Sequence, residues 1–166
     1  MDNPYYEKLV NAALRFVSFR PRSERELIGF LTKKLSKWDV SGQVLTQKVI
    51  ARMGELGYVD DHAFASWWIS QREAFRPKGK RALVAELRGK GIARQVIDEV
   101  FDTTSPKDFD EYESARKLIV KKLTLWDKMP VVEQKKKVYT FLAARGFSSQ
   151  IGSRIIDELV RKRVQS

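Results

Sequence analysis

The 166-residue sequence contains no cysteine, one histidine and no apolar run long enough to cross a membrane. The lack of cysteine excludes disulfide bonds, thiol catalysis and the common zinc motifs. A catalytic triad could form only around His62, and nothing marks a partner serine for it. A membrane span needs about 20 consecutive apolar residues. The N-terminus does not resemble a signal peptide, so we expect a cytoplasmic protein with no membrane partner.

Motifs that bind cofactors or metals are also missing. Gly89 and Gly91 follow a predicted helix instead of preceding one, and no Gly-Lys-Ser or Gly-Lys-Thr occurs. Asp60, Asp61 and His62 could offer ligands to a metal, but three adjacent residues rarely converge on one ion. Helix capping explains the two aspartates better. We therefore expect a protein that is not an enzyme and that holds no cofactor and no metal.

Basic side chains outnumber acidic ones, 32 to 21, which gives a net charge of +11. Residues 111–166 carry 13 basic and 6 acidic side chains. A second concentration runs from Arg72 to Arg94, where eight basic residues are opposed only by Glu73 and Glu86. Such a balance favours nucleic acid or another polyanion as a partner. The alternative is a solvated basic surface without a partner.

Apolar residues recur every three to four positions, and period-two alternation is absent, so we predict an all-α chain of nine helices. Gly57 and Gly146 are placed to end helices, and Val131 to Ala144 is predicted as the eighth. Ser23 and Glu26 form a capping box at the start of the second helix. The polar stretch 102–105 is predicted to be a linker and a candidate hinge. The seventh helix is predicted to start at about Ser105.

An internal repeat relates the second helices of three successive groups. The matching apolar positions are Leu27 and Leu31, Leu83 and Leu87, and Val138 and Leu142. The offsets are 56 and 55 residues, and chance matches between three-helix bundles are the alternative explanation. We predict a tandem array of three three-helix repeats, elongated and curved. The predicted repeats are residues 1–59, 60–104 and 105–166.

Aromatic residues are expected mostly in the core. Phe64, Trp67, Trp68 and Phe75 recur at helical spacing and are predicted to form the apolar face of the fourth helix. Trp67 and Trp68 are adjacent and therefore point about 100° apart, so that one can be buried while the other borders a groove. Trp38 lies in a four-residue insertion of the first repeat, and we expect it to be the exposed exception.

The basic clusters are the functional candidates, because they could line one side of stacked repeats and meet a phosphate backbone. Arg20 and Arg22 flank a proline, and Arg76 and Lys78 flank another at the equivalent junction. The predicted binding residues are Arg20, Arg22, Lys33, Lys34, Arg76, Lys78, Lys80, Arg81, Arg88, Lys90, Lys135, Lys136 and Lys137. The central contact is expected at Arg76, Lys78, Lys80 and Arg81.

Residues 57–65 and 79–92 also carry a family resemblance. They read GYVDDHAFA and GKRALVAELRGKGI, and the pattern resembles the RecX family of bacterial recombinase regulators. Ser23, Glu26 and Leu27 match the first-repeat signature of that family. The sequence departs from the family at Leu35, where glycine is common, and at Ala93, where a serine or an acidic residue is usual.

The resemblance implies three tandem three-helix repeats. It also implies a protein that binds the groove of the filament formed by RecA on single-stranded DNA and inhibits ATP hydrolysis and strand exchange by RecA. Such a protein modulates DNA repair, recombination and the SOS response. We expect it to act as a monomer, with weak binding to duplex DNA at most.

Two other functions stay open at the level of sequence. One is a transcriptional regulator that binds DNA through a helix-turn-helix pair within residues 41–56 or 92–101. Few basic or amide side chains in those helices could read base edges, which counts against it. The other is a scaffold that binds proteins only, for which DNA is irrelevant.

Overall fold

The computed structural model describes residues 4–105 and 108–164. Those residues form nine α-helices and no strand, which confirms the all-α prediction. The helices are α1 Pro4–Ser18, α2 Glu24–Lys37, α3 Gln43–Glu55, α4 Asp61–Phe75, α5 Lys80–Gly89, α6 Arg94–Thr103, α7 Glu111–Trp126, α8 Val131–Ala144 and α9 Ser149–Val164. We refer to α1–α3, α4–α6 and α7–α9 as the first, second and third groups. Within the described ranges, no helix is long and apolar enough to cross a membrane.

The predicted helix signals act as expected. The backbone N–H of Glu26 donates to Ser23 Oγ at 3.2 Å, and the N–H of Ser23 donates back to Glu26 Oε2 at 3.3 Å. Gly57, Gly91 and Gly146 have φ angles of 73°, 85° and 80°, the left-handed conformation that ends a helix. Local chemistry therefore sets most of the helix ends.

Two predicted boundaries near the third group are wrong. Helix α6 continues to Thr103, so half of the predicted linker at residues 102–105 is helical. Helix α7 begins at Glu111 and not near Ser105, because Asp110 is the cap: its Oδ1 accepts the N–H of Glu113 at 3.0 Å. The Ser105 carbonyl instead closes a turn with the N–H groups of residues 108 and 109.

The chain divides into two compact units. The first consists of Met1–Trp67 with Leu87–Asp102, and the second of Trp68–Glu86 with Thr103–Ser166. The core of the first unit includes Leu9, Ala13, Leu27, Leu31, Leu35, Leu45, Val49 and Met53. A core of the second unit includes Ala115, Ile119, Val138, Leu142, Phe147, Ile155 and Ile156. All six positions that defined the internal repeat are buried.

Two aromatic residues lie where they were not expected. Trp38 is half-buried against the first core, and its ring stacks on Tyr5 at 5.7 Å. The reason is the turn after α2, where Asp39 takes a positive φ of 54° and the N–H of Val40 reaches back to the Leu35 carbonyl at 3.1 Å. Phe75 is 77% exposed, because it is the last residue of α4 and projects beyond the apolar face.

Candidate nucleic-acid interface

The same helix-capping contact occurs twice in the molecule. In the first unit, the backbone N–H of Glu24 at the start of α2 donates to Asp61 Oδ1 at 3.0 Å. In the second unit, the N–H of Lys80 at the start of α5 donates to Glu111 Oε1 at 2.9 Å. Residues 24 and 80 are 56 apart, and residues 61 and 111 are 50 apart. Each carboxylate thus satisfies the first turn of a helix in the preceding group, which supports the internal repeat.

A second contact recurs beside each cap. Ser23 Oγ donates to the Lys90 carbonyl at 2.8 Å in the first unit. At the equivalent place in the second unit, the N–H of Gly79 donates to the Arg145 carbonyl at 2.9 Å. A Cβ at Gly79 would collide with the backbone of Gly146, so the closer approach there requires glycine. The offsets of 56 and 50 residues also align the first helices of the three groups, and we call this alignment the register. In it, Leu9, Ala65 and Ala115 are equivalent buried residues.

In the first group, Phe16 of α1 packs against Phe30 of α2. The two rings stack with centroids 4.2 Å apart and planes 4° from parallel. The Arg22 guanidinium lies 4.0 Å from the Phe16 centroid, and Lys34 Nζ lies 5.6 Å from the Phe30 centroid. Burial and the neighbouring Arg20 charge lower the pKa of Arg22, but a guanidinium remains charged at any physiological pH. The rings hold the two cations without neutralising them.

In the second group, the same two positions are Arg72 and Glu86, and they form an ion pair at 2.8 Å. Glu86 also accepts hydrogen bonds from Trp68 Nε1 at 2.8 Å and from Lys78 Nζ. Burial by itself would raise the pKa of Glu86, but the three donors outweigh it and lower the pKa. The carboxylate therefore neutralises much of the positive charge near it.

In the third group, the equivalent positions are Lys122 and Phe141. Lys122 Nζ lies 5.6 Å from the Phe141 centroid, and the Arg145 guanidinium lies 4.7 Å from it. Trp126 meets the same ring edge-on at 6.2 Å, and Lys137 Nζ lies 5.9 Å from the Trp126 centroid. Like the first group, the third holds its cations over aromatic rings.

Glu26, like Glu86, forms ion pairs with two basic side chains. Arg20 donates to both of its carboxylate oxygens, at 2.9 and 3.1 Å, and Lys90 Nζ donates at 2.9 Å. Burial alone would raise the pKa of Glu26, but the hydrogen bonds and charges of Arg20 and Lys90 lower it to about 2. Lys90 is thus drawn to the start of α2 from a position 64 residues away in the chain.

The structure sorts the predicted binding residues into three kinds. Arg20, Lys78 and Lys90 are ion-paired to a glutamate. Arg22, Lys34 and Lys137 lie over aromatic rings. The other predicted residues are exposed: Lys33, Arg76, Lys80, Arg81, Arg88, Lys135 and Lys136. The role of all of them in binding stays a prediction, and the exposed residues offer the most accessible charge.

The aspartates at the start of α4 act as helix caps, as expected. Asp60 Oδ1 accepts the N–H of Ala63 at 3.0 Å, while Asp61 caps α2. His62 Nε2 lies 3.1 Å from Glu99 Oε2 on the exposed surface. Over residues 4–105 and 108–164, no group of three or more potential ligands is placed to hold a metal ion.

One recurrent surface feature was missed from the sequence. Phe19, Phe75 and Leu125 occupy the same position near the end of the first helix in each group, at offsets of 56 and 50 residues. Their exposures are 83%, 77% and 70%. The offset of 56 already found between the second helices would have aligned Phe19 with Phe75. Their exposure could not have been foreseen, since apolar residues are usually predicted to be buried.

The chain matches two domain families over most of its second and third groups. Residues 60–100 match the second three-helix domain of RecX, and residues 110–156 match the third. The regulatory protein RecX of Pelodictyon phaeoclathratiforme is 33% identical over 138 residues, which cover 83% of this chain and 80% of that protein. This chain belongs to the RecX family.

Other RecX proteins agree with that assignment. The regulatory protein RecX of Thermobifida fusca is 31% identical over 153 residues, covering 92% of this chain and 79% of that protein. A crystal structure of RecX from Lactobacillus salivarius has the same fold, with a TM-score of 0.78 at 23% identity over 93% of this chain and 96% of that one. A further crystal structure of regulatory protein RecX gives a TM-score of 0.73 at 26% identity and covers 92% of this chain and 71% of that chain. The fold of tandem three-helix repeats is therefore that of the RecX family.

Proposed function

We propose that this chain regulates the RecA recombinase by binding the filament that RecA forms on single-stranded DNA. In this proposal it suppresses ATP hydrolysis and strand exchange, and thereby modulates recombination, DNA repair and the SOS response in the cytoplasm. Its relatives are named regulatory proteins, which supports a regulatory role. The chemistry under control belongs to the recombinase, and this chain acts as a monomer that binds and performs no catalysis. We also propose residues 1–59, 60–104 and 105–166 as its three repeats.

The observation that carries the proposal is an exposed apolar side chain at the same register position in each group. A single exposed phenylalanine is common on protein surfaces and needs no explanation. Three exposed apolar side chains at one register position do need an explanation. Phe19, Phe75 and Leu125 are equivalent in the internal repeat, and each lies largely in solvent. A partner built from identical units suits a surface that is itself repeated. A nucleoprotein filament is such a partner.

The exposed cations support the DNA component of that partner. Arg76, Lys80 and Arg81 are exposed around the turn between α4 and α5, whereas Lys78 is bound to Glu86. Contacts of this kind supply affinity for a phosphate backbone regardless of base sequence. We propose Arg76, Lys80 and Arg81 as the central contact and assign Lys78 mainly to positioning.

The test is hydrolysis of ATP by RecA in the presence of single-stranded DNA, with this protein titrated in. We expect inhibition at fewer than one copy per RecA. A variant with Phe75→Ser and Leu125→Ser should need about tenfold more protein for half-inhibition, a change of about 1.4 kcal/mol in binding. The matched control is Val44→Ser with Val132→Ser, which removes two side chains of similar exposure outside the register.

Inhibition by the control variant should equal that of the wild type. The role of the recurrent position would be refuted by equal potency of the Phe75 and Leu125 variant. Failure of the folded wild type to inhibit, even in excess, would refute the proposed function itself. Sequence-dependent binding to duplex DNA at physiological salt would then support a transcriptional regulator instead.

A further inference from the structure

A groove lies between α1 and α2 in the first unit. It has a volume of about 440 Å³, and the residues that line it include Lys8, Arg15, Phe19, Phe30, Lys34 and Trp38. Only Lys34 among these was predicted as a binding residue. Lys8 and Arg15 share one face of α1 because a spacing of seven residues is close to two helical turns. The groove therefore joins three cations and several aromatic rings in one concave surface.

The charge of this groove is not neutralised. Its lining contains three cations and no carboxylate. Among the described residues, Lys8, Arg15 and Lys34 form no ion pair, in contrast to Arg20, Lys78 and Lys90. A concave surface with uncompensated positive charge attracts a polyanion more strongly than isolated surface cations do.

The aromatic residues specify which polyanion fits. Phe19 lies at the helix end with most of its ring in solvent, and the half-buried Phe30 and Trp38 form part of the wall. Phe30 stacks on Phe16 and Trp38 stacks on Tyr5, so Phe19 is the ring of this groove that offers an open face. The face of an unpaired base stacks on an exposed aromatic ring, with about 1–3 kcal/mol for each base. A duplex hides the faces of its bases, and an acidic peptide would use the cations without the rings. Single-stranded nucleic acid uses both.

The spacing of the cations agrees with this ligand. Lys8 and Arg15 are separated by seven residues, so their Cα atoms lie about 10 Å apart along α1 at 1.5 Å per residue. This distance allows the two side chains to contact different phosphates of one strand. Lys34 approaches from α2, on the other wall of the groove.

We infer that the α1–α2 groove binds a short stretch of single-stranded nucleic acid. A base stacks on Phe19, and the phosphates meet Lys8, Arg15 and Lys34. The inference rests on the proposed function and deepens it, since it adds to the contact at Arg76, Lys80 and Arg81 a second surface that meets the DNA of the filament. In the first group, the recurrent exposed position therefore contacts a base, whereas Phe75 and Leu125 are left for other parts of the repeating partner.

The experiment measures fluorescence anisotropy of a labelled thymidine oligonucleotide with the full chain and without recombinase. Lys8→Gln with Arg15→Gln should weaken binding about tenfold and lower the slope of log affinity against log salt by about 1.4, which is 0.7 for each lost contact. The control, Lys117→Gln with Lys121→Gln on α7, removes the same charge from two exposed lysines and should weaken binding less than threefold. Phe19→Leu should weaken binding about fivefold, whereas Val44→Ala, which trims an exposed apolar side chain of α3, should bind as the wild type does.

Equal weakening by the two charge variants would overturn the inference, because it would show attraction to net charge only. An unchanged affinity for Phe19→Leu would overturn the base contact. Competition by polyglutamate as strong as by unlabelled oligonucleotide would show that the groove takes an acidic protein segment. These outcomes are distinct from failure of the proposed function, since wild-type protein could bind the oligonucleotide through the groove and still leave ATP hydrolysis by RecA unchanged.

Discussion

Helix pairs α1–α2 and α4–α5 differ at one equivalent contact. Phe16 and Phe30 stack in the first pair, and Arg72 and Glu86 form an ion pair in the second. Both contacts are partly buried at the edge of a helix pair, where an apolar contact and a satisfied ion pair are each stable. The two equivalent residue pairs thus make contact in both helix pairs, but one contact is aromatic and the other is ionic.

The difference decides which cations remain available to a partner. Next to the stacked rings, Arg22 and Lys34 lie over aromatic faces and retain their charge. Next to the ion pair, Arg72 also lies over an aromatic ring, that of Trp68 at 4.7 Å, but both Arg72 and Lys78 are bound to the carboxylate. The stretch with the highest density of basic residues in the sequence therefore has part of its charge neutralised internally. The density of charge along a chain does not measure the charge that a surface offers.

The largest effect is expected from Glu86→Ala. The change leaves Trp68, Arg72 and Lys78 without their shared acceptor at a site where the Glu86 side chain is only 20% exposed. We expect the free energy of unfolding to fall by about 2–3 kcal/mol, measured by urea denaturation. The control is Glu55→Ala, which removes an exposed pair with Arg52 and should cost about 0.5 kcal/mol or less. Equal costs would show that the cluster around Glu86 adds no stability.

The second prediction replaces the ring stack of the first helix pair by the ion pair of the second. Phe16→Arg and Phe30→Glu each remove half of the ring stack and should each lower the free energy of unfolding by about 2 kcal/mol. Together they rebuild the ion pair of the second group, so the double variant should be about 1 kcal/mol more stable than the sum of the single changes predicts. A double-mutant cycle measured by urea unfolding checks this value. Strict additivity would mean that the two positions are not interchangeable.

The last prediction concerns the dependence of stability on pH. The folded-state pKa of Glu26 is about 2, below its ordinary value of 4.5, so its ionised form stabilises the fold above about pH 4.5. That contribution is lost as the pH falls from 4.5 towards 2. Glu26→Gln keeps a capping side chain but removes the charge. We expect the variant to be less stable at pH 7 and the difference to shrink at pH 3, in urea unfolding at both values; a constant difference would contradict the assignment.

Most of the fold follows from local sequence. The bounds of α8 are Val131–Ala144, as the apolar pattern and the flanking proline and glycine predict. The capping box at Ser23 and the glycine at 146 act within a few residues, so the sequence displays them directly. The start of α7 was mispredicted, since both Ser105 and Asp110 are good caps and local chemistry did not decide between them.

The candidate site was predicted less completely. Helical periodicity and charge were enough to predict that cations such as Lys33 and Lys135 lie on the surface, where the structure has them exposed. The pairing of Lys90 with Glu26 joins residues 64 positions apart, and no local pattern shows it. Lys8 and Arg15 were overlooked because each is an isolated basic residue in the sequence, and only the packing of α1 on α2 brings them beside Lys34 and the aromatic rings.

By itself, the sequence determined the helical class, the ends of most helices and the threefold internal repeat. These depend on side-chain periodicity and on caps, which act over one or two helical turns. Only the tertiary structure decided which charges are neutralised and which apolar residues remain in solvent. Those properties depend on contacts between residues far apart in the chain: Glu86 binds the cations near it, whereas the α1–α2 groove leaves Lys8, Arg15 and Lys34 without a carboxylate.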